Sequence, residues 1–392
     1  MANWVHTIRG RLEGDKVIWM IALILSVWAL LSVYSAISSL AYQANGDSLR
    51  FLMKQGGLLM LGLVIMYVVH KVHYKYFARI ANVVLVFAVL ALVLTLVFGS
   101  DINEARRWLK VPFIGLTLQT SDFAKVGLVL WLAKELHVRR DRLNDFKGEV
   151  IPMLIRIGLV CGLILPADFS TAALLGIVAL GMLFVGGVPF KGMVSIFGLI
   201  ILGGFTIYGV SKAAPNLIPR SDTWEGRIKQ FAGFHHESGI EINENSDEDY
   251  QIDLAQVAIH RGGLLPSGPG SGTSRNFLPH PYSDMIYAFV IEEWGSIIGG
   301  VGLALLYFIL LFRSIQAARK CDRPFGSYLA MGLSLLITVQ ALINMGVAVR
   351  LFPTTGQPLP LVSYGGTSLI FTCLSIGMIL AVSRAPMLNK KQ

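Results

Sequence analysis

Charge is scarce in this chain, and cysteine scarcer. Only 15% of its 392 residues are Asp, Glu, Lys or Arg, against about 25% in soluble domains, which excludes an ordinary soluble fold. The three cysteines, Cys161, Cys321 and Cys373, are too few and too dispersed for a disulfide framework or a zinc site. The N-terminal stretch MANWVHTIRGRLEGDK has no cleavage signal before the first long apolar run, so that run reads as a retained helix. There is no basic arm or face. The 33 Lys and Arg outnumber the 24 Asp and Glu, but they recur in short clusters between apolar stretches. That is the charge pattern of cytosolic membrane-protein loops, and it argues against a nucleic-acid partner.

What is present in abundance is apolar sequence, 54% hydrophobic with a mean hydropathy of +0.62. A spanning helix needs about 20 mostly apolar residues. Candidate spans cover 17–40, 52–70, 80–98 and 116–136, and then 192–210, 285–313, 326–348 and 361–383. Between them, 151–187 is broken at Pro166-Ala167-Asp168 and reads as two short helices. The expectation is an all-α integral membrane protein, a single polytopic domain over 1–392. It has about ten transmembrane helices and a long extracytoplasmic loop, 211–284, between helices seven and eight. With ten spans the basic clusters share one face with both termini, and that face is cytosolic.

The polar residues that break these rules are the candidates for function. Asp284 sits where the polar loop meets an apolar helix, and an ionisable group at a membrane boundary is a functional candidate. Arg106, Arg107 and Lys110 lie in a short outer loop, NEARRWLK, and Arg220 and Arg227 in the long one. Outward guanidinium forks match phosphate oxygens, although a few outer positives are also tolerated. Gln119, Asp122 and Lys125 are spaced by three and share one face of a predicted helix, as a binding face or a self-neutralising pair. Asp168 either lines a cavity between broken helices or caps the helix FSTAALLG.

The glycine-rich run GGLLPSGPGSGTSRNF lacks a GK[ST] ending and reads as a flexible turn, and the acidic stretch 237–249 as solvated chain. The adjacent His235 and His236 point apart and make no metal pair. INMGVAVRLFPTTGQPLPLVSYGGTSLI is broken by Pro and Gly, so its irregular backbone should line a cavity near the outer face.

At these residues the chain resembles the RodA/FtsW family of cell-wall polymerases. The resemblance rests on ARRW (105–108), QTSDFAK (119–125), PADFSTA (166–172), AIHRGGLLPSGPG (258–270), LPHPYSDMIYAFVIEEWG (278–295) and PTTGQPLPLVSYGGTSL (353–369). It implies a ten-helix peptidoglycan glycosyltransferase of the bacterial cytoplasmic membrane. Lipid II would be polymerised on the outer face, the donor strand being carried on undecaprenyl pyrophosphate and a β-1,4 bond forming to the acceptor's GlcNAc 4-hydroxyl. The family's essential aspartate falls on Asp284, its RW arginine on Arg107, its QPSExxK pattern on Gln119, Ser121, Asp122 and Lys125, and its PDxxTA aspartate on Asp168. Ser363 and Tyr364 of the SYGG run, with Arg106, complete the expected substrate contacts.

Where the family often has PEAHTD, this chain has Pro279-His280-Pro281-Tyr282-Ser283-Asp284, so the family's second acid is replaced by His280. The QPSE glutamate is Asp122, and the lysine that some division members carry in the PxxG motif is Thr355. The 278–295 run looks more like division members than elongation members.

On this reading Asp284 is the general base, while Arg107, with Lys125 behind it, stabilises pyrophosphate charge. A divalent cation is compatible with that chemistry, but no ligand cluster demands one. The implied partners are a class B penicillin-binding protein transpeptidase and other divisome membrane proteins. A lipid II flippase, with an Arg, Lys and Asp cavity between broken helices, and a scaffold that only activates the transpeptidase are the alternatives.

Overall fold

The computed structural model describes residues 13–43, 48–102, 105–110, 117–213, 247–274 and 284–389. The chain is overwhelmingly helical. In order it forms α1 (Lys16–Gln43), α2 (Ser48–Lys71), α3 (Tyr74–Phe98), strands β1 (Ser100–Ile102), β2 (Ala105–Lys110) and β3 (Thr117–Gln119), and α4 (Thr120–Arg139). There follow α5 (Ile151–Ile164), α6 (Phe169–Gly186), α7 (Phe190–Ala213), α8 (Asp247–Gly262), α9 (Ile286–Trp294), α10 (Leu303–Arg319), α11 (Pro324–Ala348) and α12 (Thr367–Asn389).

Among the described residues seven helical segments are long and apolar enough to cross a membrane, and Phe190–Thr206 is a shorter apolar helix. The other two of the ten expected spans also fail that measure, for visible reasons. Helix α4 carries Asp122, Lys125, Lys134, Glu135 and Arg139, and α5 has only 14 residues.

The chain divides into two compact units, residues 1–77 with 240–392, and residues 78–239. In the first, α2 and α12 pack through glycine. A side chain at Gly62 would strike the Cys373 sulfur, and one at Gly377 would meet the Met66 backbone at 3.0 Å. Small residues of this kind let membrane helices approach closely. Helices α10 and α11 run antiparallel, with the Thr338 hydroxyl donating to the Tyr307 carbonyl at 3.4 Å. Arg313 of α10 pairs with Asp15 at 2.6 Å.

The expected single helix over 285–313 is instead folded back on itself. Residues nine apart in a straight helix are separated by about 13.5 Å. Here a Cβ on Gly299 would lie 2.5 Å from the Val290 carbonyl oxygen, and the Tyr287 hydroxyl donates to the Gly300 carbonyl at 3.1 Å. The reversal is made at Gly295, whose φ of 71° is open to glycine and strained for other residues. Beyond it, Gly295–Gly302 is π-helical and leads into α10. Glycines at 295, 299 and 300 permit the contact.

In the second unit Ala105–Lys110, within the expected outer loop NEARRWLK, is a strand. β1, β2 and β3 form an antiparallel sheet in that order, pairing Asp101 with Arg106 and Trp108 with Gln119. Helix α4 therefore starts at Thr120, later than the expected 116, and Gln119 belongs to β3. Helices α5 and α6 meet at Pro166-Ala167-Asp168 as expected.

Candidate active site

Two sets of polar residues stand out, one in each unit. In the first unit Asp284 is half-exposed and lies just before Met285, the N-cap of α9. Its backbone is gripped from α11. The Asn344 side-chain amide donates to the carbonyl of Asp284 and to that of Gln357, each at 2.8 Å. Asn344 is 1% exposed, and its Oδ1 has no hydrogen-bond partner.

The segment after α11 is irregular, as expected, and its prolines explain how it is held. Pro358 and Pro360 donate no backbone hydrogen bond, so the local chain cannot build a ladder and its carbonyls need other donors. Gln340, one turn before Asn344, donates to the Pro358 carbonyl at 2.9 Å, and the Tyr307 hydroxyl to that of Pro360 at 2.6 Å. Of the two SYGG candidates, Ser363 is buried and accepts from the Leu359 amide at 2.8 Å, while Tyr364 is half-exposed.

The glycine-rich run expected to be flexible is instead pinned against α9 over its described residues, up to Ser274. Glu292, 5% exposed, accepts on Oε1 from the Thr273 amide, the Ser274 amide and the Ser274 hydroxyl at 3.0, 3.1 and 2.9 Å. The Ser267 and Gly268 amides donate to the Glu293 carbonyl at 3.1 and 2.9 Å. Glu293 in turn accepts from the Ser35 hydroxyl of α1. Helix α8, unforeseen within the long loop, is tied to α11 by the Asp253–Arg350 ion pair and by Gln256 donating to the Ala348 carbonyl at 2.8 Å.

In the second unit Lys125 and Asp122 form an i,i+3 ion pair at 2.7 Å, with side chains 4% and 3% exposed. Asp122 lies in the first turn of α4, where the helix dipole favours an anion, and its Oδ2 has no partner. Gln119 does not share their helix face, because it is the last residue of β3; its amide donates to the Ser121 hydroxyl at 3.2 Å. Asp168 is the N-cap of α6, accepting from the Thr171 amide at 3.1 Å and the Thr171 hydroxyl at 2.7 Å.

The QTSD and PAD segments do come together. Thr120, Ser121 and Asp168, with Thr95, line a small, water-sized pocket whose other walls include Leu92, Leu96 and Leu163. The Thr95 and Thr120 hydroxyls are bonded at 2.9 Å. Arg106 and Arg107 lie in β2. His280, Arg220, Arg227, His235 and His236 lie outside the described residues.

The arrangement offers a carboxylate on a backbone-clamped loop in one unit, and a buried cation–anion pair near a small, mostly apolar pocket in the other. Several relatives cover almost the whole chain. The "Probable peptidoglycan glycosyltransferase FtsW" of Geobacter metallireducens is 30% identical, across 94% of each chain. That of Geobacter sp. strain M18 is 32% identical, across 95% of this chain and 98% of its own.

Among solved structures, a chain of a peptidoglycan synthase complex coordinating polymerization and crosslinking is 27% identical, with a TM-score of 0.73 over 95% of this chain and 98% of its own. The Rod shape determining protein RodA of Thermus thermophilus is 25% identical, with a TM-score of 0.66 over 95% of this chain and 97% of its own. The FtsW/RodA/SpoVE family, described as "Cell cycle protein", matches residues 15–387, and the chain belongs to that family.

Proposed function

We infer that this chain is a peptidoglycan glycosyltransferase that polymerises lipid II at the outer face of the cytoplasmic membrane during cell division, with Asp284 as its general base. The observation that carries the assignment is the Asn344 clamp. It ties the main chain of Asp284 to that of Gln357, so the backbone that carries the carboxylate is held from α11. The acceptor's GlcNAc 4-hydroxyl attacks the anomeric carbon of the donor. Its proton passes to Asp284, the bond to the carrier breaks, and undecaprenyl pyrophosphate leaves with the bonding electrons.

Arg107 is the principal candidate for the leaving pyrophosphate, through the fit of its fork to phosphate oxygens. Lys125, Asp122, Gln119, Asp168, Arg106, Ser363 and Tyr364 make up the wider substrate set. In this reading ten spans place both termini in the cytoplasm, and 263–284 faces outward. The relative that coordinates polymerization with crosslinking supports pairing with a transpeptidase, read here as a class B penicillin-binding protein, alongside other divisome membrane proteins.

The test is a lipid II polymerisation assay on the purified chain with its transpeptidase, reading glycan length. Absence of polymer, with transport of lipid II across the bilayer, would move the assignment to a flippase. Arg107→Ala is expected to insert and accumulate normally while losing most polymerisation, and Arg107→Lys to recover only part of it, because the planar fork is lost. Activity near wild type in Arg107→Ala would make the residue a spectator.

Asn344→Leu removes the donor shared by two carbonyls. A displacement of about 1 Å at a reacting group costs on the order of a hundredfold, so kcat should fall strongly while KM for lipid II changes little. An unchanged kcat would show that the clamp does not set the position of the base.

A further inference from the structure

The turn after α8 presents two leucines where a polar loop would be expected to hide them. Leu264 and Leu265 are 69% and 74% exposed, within the glycine-rich run that the sequence places in an outer loop. Their backbone shows what surrounds them. Where α9 ends at Gly295, the restarting helix has amides with no carbonyl one turn earlier to receive them. The Ser296 amide and hydroxyl donate to the Gly263 carbonyl at 3.0 and 2.8 Å, and the Ile297 amide to the Leu264 carbonyl at 3.4 Å.

The turn therefore caps the new helix, and its Gly263 and Leu264 carbonyls are satisfied in exchange. Irregular backbone enters the apolar layer only when its polar groups are met in this way. Gly295 is required here as well, since a Cβ would lie 2.6 Å from the Leu264 carbonyl oxygen.

Depth follows from helix geometry. The hydrocarbon layer is about 30 Å, or roughly 20 helical residues. Counted outward from Arg313, the first charged side chain of α10, the helix reaches its reversal at Gly295 within that distance. The turn is bonded to Ser296 and Ile297, just inside this limit. Beside it the surface is already apolar and exposed, with Ile297 at 53%, Ile298 at 44% and Val301 at 59%. Arg261, on the flank of the turn, is exposed and donates to the Thr273 hydroxyl at 2.7 Å, which keeps its charge at the polar edge.

We propose that the Gly263–Pro266 turn is inserted into the outer leaflet, with Leu264 and Leu265 among the acyl chains as a continuation of the lipid-facing surface of Gly295–Arg319. The proposal rests on the outward orientation of 263–284 given above.

The experiment replaces Cys161, Cys321 and Cys373 by serine and introduces Leu264→Cys, Leu265→Cys or, as a reference in the same run, Ser271→Cys. Each carries an environment-sensitive fluorophore in full-length protein, in oriented proteoliposomes containing nitroxide-labelled phospholipid. Labels at 264 and 265 should emit at shorter wavelength than the label at 271. They should lose emission to acyl-chain nitroxides and resist aqueous iodide, whereas the label at 271 should be quenched by iodide.

Quenching of 264 and 265 by iodide to the same degree as 271 would overturn the proposal. So would shielding from both quenchers, which would indicate a covering protein such as a second copy. Iodide reaching 271 only from the cytoplasmic side would overturn the topological reading instead.

Discussion

Asp284→Asn is expected to give a folded protein that still binds its transpeptidase yet makes almost no glycan from lipid II. The amide is nearly isosteric with the carboxyl, and the clamp survives because Asn344 holds the carbonyl of residue 284 and not its side chain. An amide cannot take the proton of the acceptor hydroxyl, and loss of a general base lowers rates by about 10²–10⁴-fold. The measurement is single-turnover polymerisation with purified partner, alongside thermal unfolding and co-purification. Polymerisation at the wild-type rate would remove Asp284 from the chemistry and leave the scaffold or another base. Loss of activity together with loss of folding would show instead that the carboxylate supports the loop.

The second large effect concerns the Asp122–Lys125 pair. Lys125→Ala leaves a buried carboxylate without its cation, which costs about 3–5 kcal/mol against a total stability of about 5–15 kcal/mol. Loss of activity in that variant is therefore expected and uninformative. Changing Lys125→Met together with Asp122→Leu replaces the pair by apolar side chains of similar bulk, an exchange that often leaves stability unchanged or raised. The double variant should be monodisperse, with an unfolding temperature near wild type. If Lys125 stabilises leaving-group charge, it should polymerise about a hundredfold more slowly or worse. A stable and active double variant would assign the pair to the architecture of α4 alone.

The sequence was legible where one rule dominates. Apolar length located the helices, and charge clustering suggested an orientation. The Asp168 cap and the i,i+3 Asp122–Lys125 pair followed from local spacing. What escaped were contacts set by tertiary structure. Strands β1 and β3 have only three residues each, too few for alternation to register, so Gln119 was assigned to the following helix. IEEWGSIIGG reads as one apolar helix because hydropathy is blind to a reversal; the cue was the spacing of Gly295, Gly299 and Gly300. Asn344 drew no reading in the sequence, although a buried amide in an apolar span needs a partner. Glu292 and Glu293 drew no role, since nothing local indicates that one carboxylate would gather three donors from a turn nearly twenty residues earlier.

The reversal at Gly295 also bears on where a polymer could be made and how it would leave. Asp284 is joined through Asn344 to α11, and the antiparallel register of α10 with α11 sets that point level with about Val301. Six residues separate Val301 from Gly295, a drop of at most about 9 Å, since the stretch is π-helical and rises less than the 1.5 Å per residue of an α-helix. A strand elongated at Asp284 would thus be joined below the membrane rim. On the proposed reading, the growing strand would have to pass the level of Gly295 to leave the membrane while its lipid anchor stays in the plane.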